Sequence, residues 1–144
     1  MVNKFTIRDY REEDYPGLCI LWEETGMGRP DRGDDNAIIL DSIRIGGRLL
    51  IMTDVAGEVI GSSWMTFDGR RIHLHHFAII PSHQGKGLSK PLLTESLKFV
   101  KEKGYQVKLE VHQTNRKAID LYRKAGFKNL GDYDVYIIRN LLEL

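Results

Sequence analysis

Apolar and polar positions along the chain predict a mixed α and β protein. Apolar residues alternate with polar ones from Phe5 to Arg8, and longer apolar runs occupy Leu49 to Met52 and Val59 to Phe67. Asp68-Gly69 is typical of a tight hairpin turn. We therefore expect the run from about Arg71 to Ile80 to pair antiparallel with the strand before it.

Helical spacing of apolar residues predicts four helices. They run from about Glu12 to Gly26, from the capping residues Asp34 and Asp35 through Ile43, from about Gly87 to Lys103, and from Asn115 to Lys124. Further strands are predicted at Val107 to Val111, from Phe127 onward and at Tyr133 to Ile138. This order predicts one domain over residues 1–144, with a mostly antiparallel sheet, one central parallel pair and flanking helices.

Composition favours an ordinary globular protein in the cytoplasm. The chain has 144 residues, 42% of them hydrophobic, and a formal net charge of +1, so nothing favours nucleic acid or a membrane as partner. The one cysteine, Cys19, allows no internal disulfide and favours a reducing compartment. The N-terminus lacks the apolar segment of a signal peptide, and no run approaches the roughly 20 apolar residues of a membrane span.

The segment from Gln84 to Ser89 predicts an anion site where a strand turns into a helix. Glycines let backbone N–H groups approach a ligand, and the helix N-terminus adds positive potential, which suits a pyrophosphate. Lys86 and Lys90 would add charge. A tight turn without a ligand is the alternative. P-loop spacing is absent, and the dinucleotide fingerprint fails because its third glycine position holds Lys90.

This segment resembles the coenzyme A-binding motif of the GCN5-related N-acetyltransferase (GNAT) family. The motif has Arg or Gln, two residues, Gly, one residue, then Gly or Ala, and here Gln84, Gly87 and Ser89 occupy those positions. Ser89 departs from the pattern but is small. The segment from Asn115 to Phe127 is similar to the family's second motif, Asn-x-x-Ala-x-x-Leu-Tyr-x-x-x-Gly-Phe. The regions 22–35 and 68–70 look most like a bacterial YpeA-like subgroup.

The resemblance implies an N-acetyltransferase that moves an acetyl group from acetyl-CoA to a primary amine in a ternary complex. The amine would belong to a small molecule, a protein N-terminus or a lysine. A non-catalytic acyl-CoA sensor or interaction module is the alternative, and a binder of another phosphate is a third. No metal is expected, because no third ligand for His73 and His75 is evident.

The resemblance also implies a set of cofactor contacts. They are Phe77, Ala78, Ile79, Gln84, Gly85, Lys86, Gly87, Leu88, Ser89, Lys90, Asn115 and Ala118. The pantetheine arm would pair with 77–79 like an added strand, in a slot where this strand splays from 107–111, and an N–H near Ile79 would face the oxyanion. Tyr122 would protonate the leaving thiolate. The alternatives are an N-cap role for Asn115 and core packing for Tyr122.

The candidate general base lies in His73-Leu74-His75-His76. Strand alternation places His73, His75, Phe77 and Ile79 on one face. The family's catalytic glutamates fall at position 73 or 75, so the resemblance implies His73 or His75 as base, and histidine titrates near neutrality. The alternatives are that these are surface histidines, or that ordered water alone supplies the base.

The acceptor is expected, by resemblance, under the segment from Trp22 to Asp35, with Trp22 and Arg29 as contacts. Its carboxylate excess favours a cationic amine, although acidic helix caps explain it equally, and Arg29 could instead bind a substrate carboxylate. Family members often pair through their last strands, which implies a homodimer through residues 133–139.

Overall fold

The computed structural model describes residues 4–28 and 33–144, and the chain forms two compact units, Met1–Glu110 and Val111–Leu144. The described residues of the first unit form β1 (Thr6–Asp9), α1 (Tyr15–Thr25), α2 (Asn36–Arg44), β2 (Arg48–Thr53), β3 (Val59–Phe67), β4 (Ile72–Ile79), α3 (Ser89–Lys103) and β5 (Val107–Leu109). The second unit contains α4 (Arg116–Lys124). Short 3-10 turns lie at Glu12–Asp14, Pro81–His83 and Leu141–Glu143.

The five strands form one sheet in the order β1-β2-β3-β4-β5. The pairs β1–β2, β2–β3 and β3–β4 are antiparallel, and the pair β4–β5 is parallel. This arrangement confirms the predicted fold class. Buried side chains of α1 and α2, among them Leu18, Trp22 and Ile39, pack on one face of this sheet against Trp64 of β3. Each fully buried side chain of this size stabilises the fold by roughly 1.5–3 kcal/mol.

The predicted caps and turns explain where the helices and the hairpin end. Gly26 ends α1 in the left-handed region (φ 68°), and the Asp35 carboxylate accepts a hydrogen bond from the Ile38 N–H at the start of α2. At the predicted hairpin the Asp68 N–H donates to the Arg71 carbonyl, and the Asp68 carboxylate accepts from the N–H groups of Arg70 and Arg71.

A bulge in β4 corrects the predicted faces of that strand. Trp64 pairs with His75 and Ser62 pairs with Ala78, so two steps on β3 oppose three steps on β4. The extra residue reverses the alternation of the strand beyond it. His73 and His75 therefore face α1 and α2, whereas Phe77 and Ile79 fall on the opposite face. The prediction that these four residues share one face was wrong.

The predicted C-terminal strands are also absent from the structure. Residues 127–140 of the second unit are in neither helix nor strand, although strands were predicted from Phe127 onward and at Tyr133 to Ile138. A strand needs a hydrogen-bonded partner, and no strand lies within the second unit. β5 likewise ends at Leu109, two residues before the predicted end.

Candidate active site

The glycine turn before α3 has the backbone shape of an anion cradle. Gly85 and Gly87 lie in the left-handed region (φ 78° and 76°), and no described atom lies within 4 Å of a Cβ built on either. α3 begins at Ser89, and the first N–H groups of a helix have no partner within it. Pro91 supplies no N–H there. The turn therefore lies at the positive end of a 15-residue helix, and the space around its two glycines is open.

Gln84 fastens this turn to the end of β4. Its side-chain Nε2 donates to the Ile79 carbonyl at 2.8 Å. The amide therefore has a structural bond here, in addition to the cofactor contact that its place in the motif implies. The same bond holds the glycine turn close to the last residue of the strand.

The parallel strands β4 and β5 pair over only part of their length. Their register covers Ile72 to Leu74 on β4 and Val107 to Leu109 on β5. Among the described residues of the first unit, the β4 edge from His75 to Ile79 has no partner strand on that side. A chain with amide groups could pair with this edge, which leads directly to the glycine turn.

The bulge at His76 is held from several directions. His76 has φ 46°, a left-handed conformation that costs a non-glycine residue on the order of 1 kcal/mol or more. The Ser62 hydroxyl donates to the His76 carbonyl at 2.6 Å and accepts from the Trp22 indole N–H at 2.9 Å. The Trp22 and Trp64 rings lie 4.5 and 5.1 Å from the His76 ring.

Trp22 therefore supports the bulge from the core. Its side chain is 2% exposed and stacks on Trp64 at 5.6 Å. The acceptor contact through Trp22 stays a prediction, and in the structure this indole contacts Ser62 and His76.

Four side chains form a connected polar series along the sheet face. Asp34 Oδ1 lies 3.3 Å from His76 Nε2, the two Nδ1 atoms of His75 and His76 lie 2.7 Å apart, and His75 Nε2 lies 3.1 Å from the Thr66 hydroxyl. A proton on His76 Nε2 would face the Asp34 carboxylate and would leave His76 Nδ1 as acceptor. His75 then carries its proton on Nδ1 and accepts from Thr66.

The two candidate bases differ in how their ring nitrogens are used. Burial lowers the pKa of His75 to about 3, with His76 and His73 contributing, and both of its nitrogens already have partners. Burial also lowers the pKa of His73, while Glu110 opposes that shift. His73 is half-buried, and the described part of the structure records no hydrogen bond to its ring. His73 is therefore the better placed of the two to accept a proton from a ligand.

A cavity of about 360 Å³ lies beside His73 at the start of β4. Polar and charged groups line most of it: Thr66, Asp68, Arg70, Arg71, His73 and Lys108. These residues come from the β3–β4 hairpin and from β5, so the hairpin turn predicted from Asp68-Gly69 forms one wall of the cavity. Since His73 is part of the wall, a molecule in this cavity would reach its imidazole.

In the second unit, α4 carries the residues of the second motif. The Asn115 carboxamide oxygen accepts from the Ala118 N–H at 3.2 Å, so Asn115 is the N-cap of this helix, as one of the two alternatives predicts. The Tyr122 ring lies 5.7 Å from the Phe127 ring in an edge-on arrangement, and burial raises the pKa of Tyr122 to about 12. The phenol thus keeps its proton throughout the neutral range.

The acceptor segment is described only in part. Arg29, a predicted acceptor contact, lies outside the described residues. Two of the carboxylates that favoured a cationic acceptor have other roles, because Asp34 lies against His76 and Asp35 caps α2. Within residues 4–28 and 33–144, no group of three or more His, Cys, Asp or Glu side chains could hold a metal ion, and no helix is long and apolar enough to cross a membrane.

Several residues of this region were missed in the sequence. Ser62, Thr66 and Gly28 show no motif, and Asp34 was interpreted as a helix cap and as one of the acceptor-side carboxylates. The one available signal was the pair of adjacent histidines, His75-His76, because two buried imidazoles in a row break simple strand alternation. A bulge that brings both rings to one face resolves that conflict.

The chain combines a mixed sheet, in which only β4 and β5 are parallel, with a glycine turn that leads from β4 to α3. The sequence model of the family described as "Acetyltransferase (GNAT) family" matches residues 6–127. The chain therefore belongs to the GNAT acetyltransferase family. It is 28% identical over 123 residues to acetyltransferase SG1711 of Sodalis glossinidius (strain morsitans), covering 85% of this chain and 86% of that one.

Solved structures show the same fold. An acetyltransferase from Trypanosoma brucei has a TM-score of 0.75 at 24% identity, over 94% of this chain and all of that chain. The ribosomal-protein-S18-alanine N-acetyltransferase from Escherichia coli has a TM-score of 0.72 at 20% identity, over 86% of this chain and 77% of that chain. The finer likeness to a YpeA-like subgroup stays a prediction.

Proposed function

We propose that this protein transfers an acetyl group from acetyl-CoA to a primary amine in the cytoplasm. One observation carries the proposal: beyond its short pairing with β5, β4 leads directly into the left-handed glycine turn before α3. Coenzyme A combines an amide-bearing arm with a pyrophosphate. The strand edge offers backbone partners for the amides of the arm, and the turn offers backbone N–H groups for the pyrophosphate.

The residues present fit the cofactor. A Cβ at Gly85 or Gly87 would meet no other described atom, but both positions need a backbone that side chains rarely adopt. Backbone N–H groups of the turn at 85–90 would bind the pyrophosphate, and the edge of β4 along 77–79 would pair with the arm. When bound, acetyl-CoA supplies an activated thioester carbonyl. By resemblance, an N–H near Ile79 would donate to the carbonyl oxygen.

We assign the two proton steps to His73 and Tyr122. His73 would accept the proton of the acceptor amine at its imidazole, which is neutral at pH 7 because its pKa is lowered by burial. Tyr122 would act as the acid, as the resemblance implies. With a pKa of about 12 against roughly 8.5 for a thiol, full proton transfer is uphill, so the phenol would mainly donate a hydrogen bond to the developing thiolate.

Thermal unfolding with acetyl-CoA, ATP or NAD tests the binding half of this proposal. A ligand at 100 times its Kd stabilises the folded state by about 2.7 kcal/mol. We expect this shift with acetyl-CoA alone, and we expect Gly87→Ala to abolish it. Gly57→Ala is the matched control, because Gly57 has a similar φ (83°), is equally unobstructed and lies in another turn.

Thiol release with a panel of amines tests the transfer half. Release with at least one amine supports the enzyme. Tight acetyl-CoA binding without release for any amine would instead support the acyl-CoA sensor. Stabilisation by ATP alone would contradict both and support a different phosphate ligand.

A further inference from the structure

The cavity beside His73 has a basic wall that the transfer step itself does not require. Arg70 and Arg71 from the β3–β4 hairpin and Lys108 from β5 line it together with His73. We propose that the acceptor is a small amine that also carries a carboxylate, and that these three cations bind that carboxylate. This inference rests on the proposed acetyl transfer and specifies its acceptor.

The three cations have no ion-pair partner among the described residues. Other basic side chains of the first unit do pair with carboxylates, as Arg8 does with Asp14, Arg44 with Asp41 and Arg48 with Asp9. Arginine binds carboxylates with two parallel hydrogen bonds, which makes an arginine-lined cavity selective for that group.

The carboxylate in the lining interacts electrostatically with Arg70 and offsets only part of the charge of the three cations. Asp68 is the one acidic residue of the lining, and it already accepts hydrogen bonds from the N–H groups of Arg70 and Arg71 at 2.7 Å. Glu110 influences the pKa of His73 but does not line the cavity. The Arg71 Nε donates to the Gln106 side chain at 3.2 Å, which orients the guanidinium and leaves its terminal nitrogens as donors.

The position and size of the cavity suit an amino-carboxylate. His73 stands in the same wall as the cations, so an amine at the imidazole would place a carboxylate a few bonds away within reach of them. The volume of about 360 Å³ lies at the lower end of the range of small-molecule sites. The cationic acceptor expected from the acidic residues of 22–35 is less favoured, because Asp34 and Asp35 are used within the fold.

Matched acceptor pairs test the inference. The panel consists of free amino acids and their carboxamides, which differ only in the carboxylate. For each pair, KM is measured by thiol release, and the acceptor is also titrated calorimetrically into the protein without acetyl-CoA. We expect at least one amino acid to bind tenfold or more tightly than its amide, a difference of about 1.4 kcal/mol.

Two variants and a control assign the effect to the cavity. Arg70→Gln and Lys108→Gln remove exposed charges, so both variants should fold. Each should raise the KM and the Kd of the amino acid at least fivefold. Each should also reduce the ratio between the Kd of the amide and the Kd of the amino acid. Arg44→Gln, an exposed arginine on α2, should change neither. The inference would be overturned if every amino acid bound as tightly as its amide, or if the tighter binding of the amino acid were unchanged in both variants. Preserved discrimination in binding without any turnover would support the carboxylate site and contradict the proposed acetyl transfer.

Discussion

Asp34 Oδ1 lies 3.3 Å from His76 Nε2, and this contact joins the segment before α2 to the bulge of β4. The absence of a side chain at Gly28 permits it. A Cβ at that position would lie 2.8 Å from His76 Nε2 and 2.9 Å from Asp34 Oδ2. Gly28, Asp34 and β4 thus meet at His76, the one non-glycine residue with a positive φ among the described residues.

Gly28→Ala is expected to separate this pair. Because the new methyl group meets both polar atoms, we expect the free energy of unfolding to fall by about 1–3 kcal/mol in urea titrations. If the loss acts through the pair, it should be smaller in an Asp34→Asn background, with a coupling of at least about 0.5 kcal/mol. Simple additivity of the two substitutions would contradict this explanation.

Ser62→Ala is expected to loosen the bulge. It leaves the Trp22 indole N–H and the His76 carbonyl without their partner, at a cost of roughly 1–3 kcal/mol for each buried group left unsatisfied. Ser63→Ala is the matched control, because Ser63 is equally buried and bonds Ser96 of α3 on the other face of the sheet. Both variants should be less stable, but only Ser62→Ala should lower the rate of acetyl transfer. Equal rates in the two variants would argue against a role for the bulge.

The sequence was sufficient for the elements that local chemistry determines. The hairpin at Asp68, the helix end at Gly26 and the cap at Asp35 were all predicted and all form, because each depends on residues within a few positions. The strand-turn-helix segment that ends at Ser89 was predicted on the same basis. The predicted helix start at Gly87 was two residues early, since Gly87 itself lies in the left-handed region.

Features that depend on distant partners could not be predicted. The bulge at His76 contacts Ser62 of β3, Trp22 of α1 and Asp34 before α2, and only the fold brings these residues together. Alternation alone therefore placed Phe77 on the wrong face. The strand predicted at 133–138 does not form, because β propensity needs a hydrogen-bonded partner strand and the second unit contains no strand.

His73 gives a test through the pH dependence of transfer. A base must be neutral to accept a proton, and the pKa of His73 is lowered below 6.5 by burial. We therefore expect kcat/KM to be level near pH 7 and to fall only as the pH drops below 6.5. His73→Gln should lower kcat roughly 100-fold and abolish this acidic limb. An unchanged profile in His73→Gln would exclude the residue as base.

Tyr122 gives a test at the other end of the pH range. With a pKa of about 12, the phenol keeps its proton, so no alkaline loss of rate from Tyr122 is expected below about pH 10. Tyr122→Phe should lower kcat at least tenfold with little change in the thermal shift given by acetyl-CoA. Tyr105→Phe, which keeps the ring that contacts Phe67, is the control and should retain the wild-type kcat. A fully active Tyr122→Phe would assign the ring to packing alone.

His75 gives a test of stability in acid. The unfolded chain binds a proton at His75 below pH 6.5, but the folded protein does so only near pH 3, because burial lowers the pKa. The free energy of unfolding should therefore fall by roughly 1.4 kcal/mol for each pH unit between those values. His73 and His76, whose pKa values are also lowered, and the Arg8-paired Asp14 act in the same direction.

The contribution of His75 is measured by the slope of the free energy of unfolding against pH, not by its value at one pH. His75→Gln loses its hydrogen bonds to His76 and Thr66 at every pH, which shifts the whole curve downward. Removing the titrating group should also make the curve shallower between pH 6.5 and 4. Urea titrations across that interval measure both effects. Parallel curves for the wild type and His75→Gln would mean that the folded protein protonates His75 as readily as the unfolded chain does, contrary to a buried neutral imidazole.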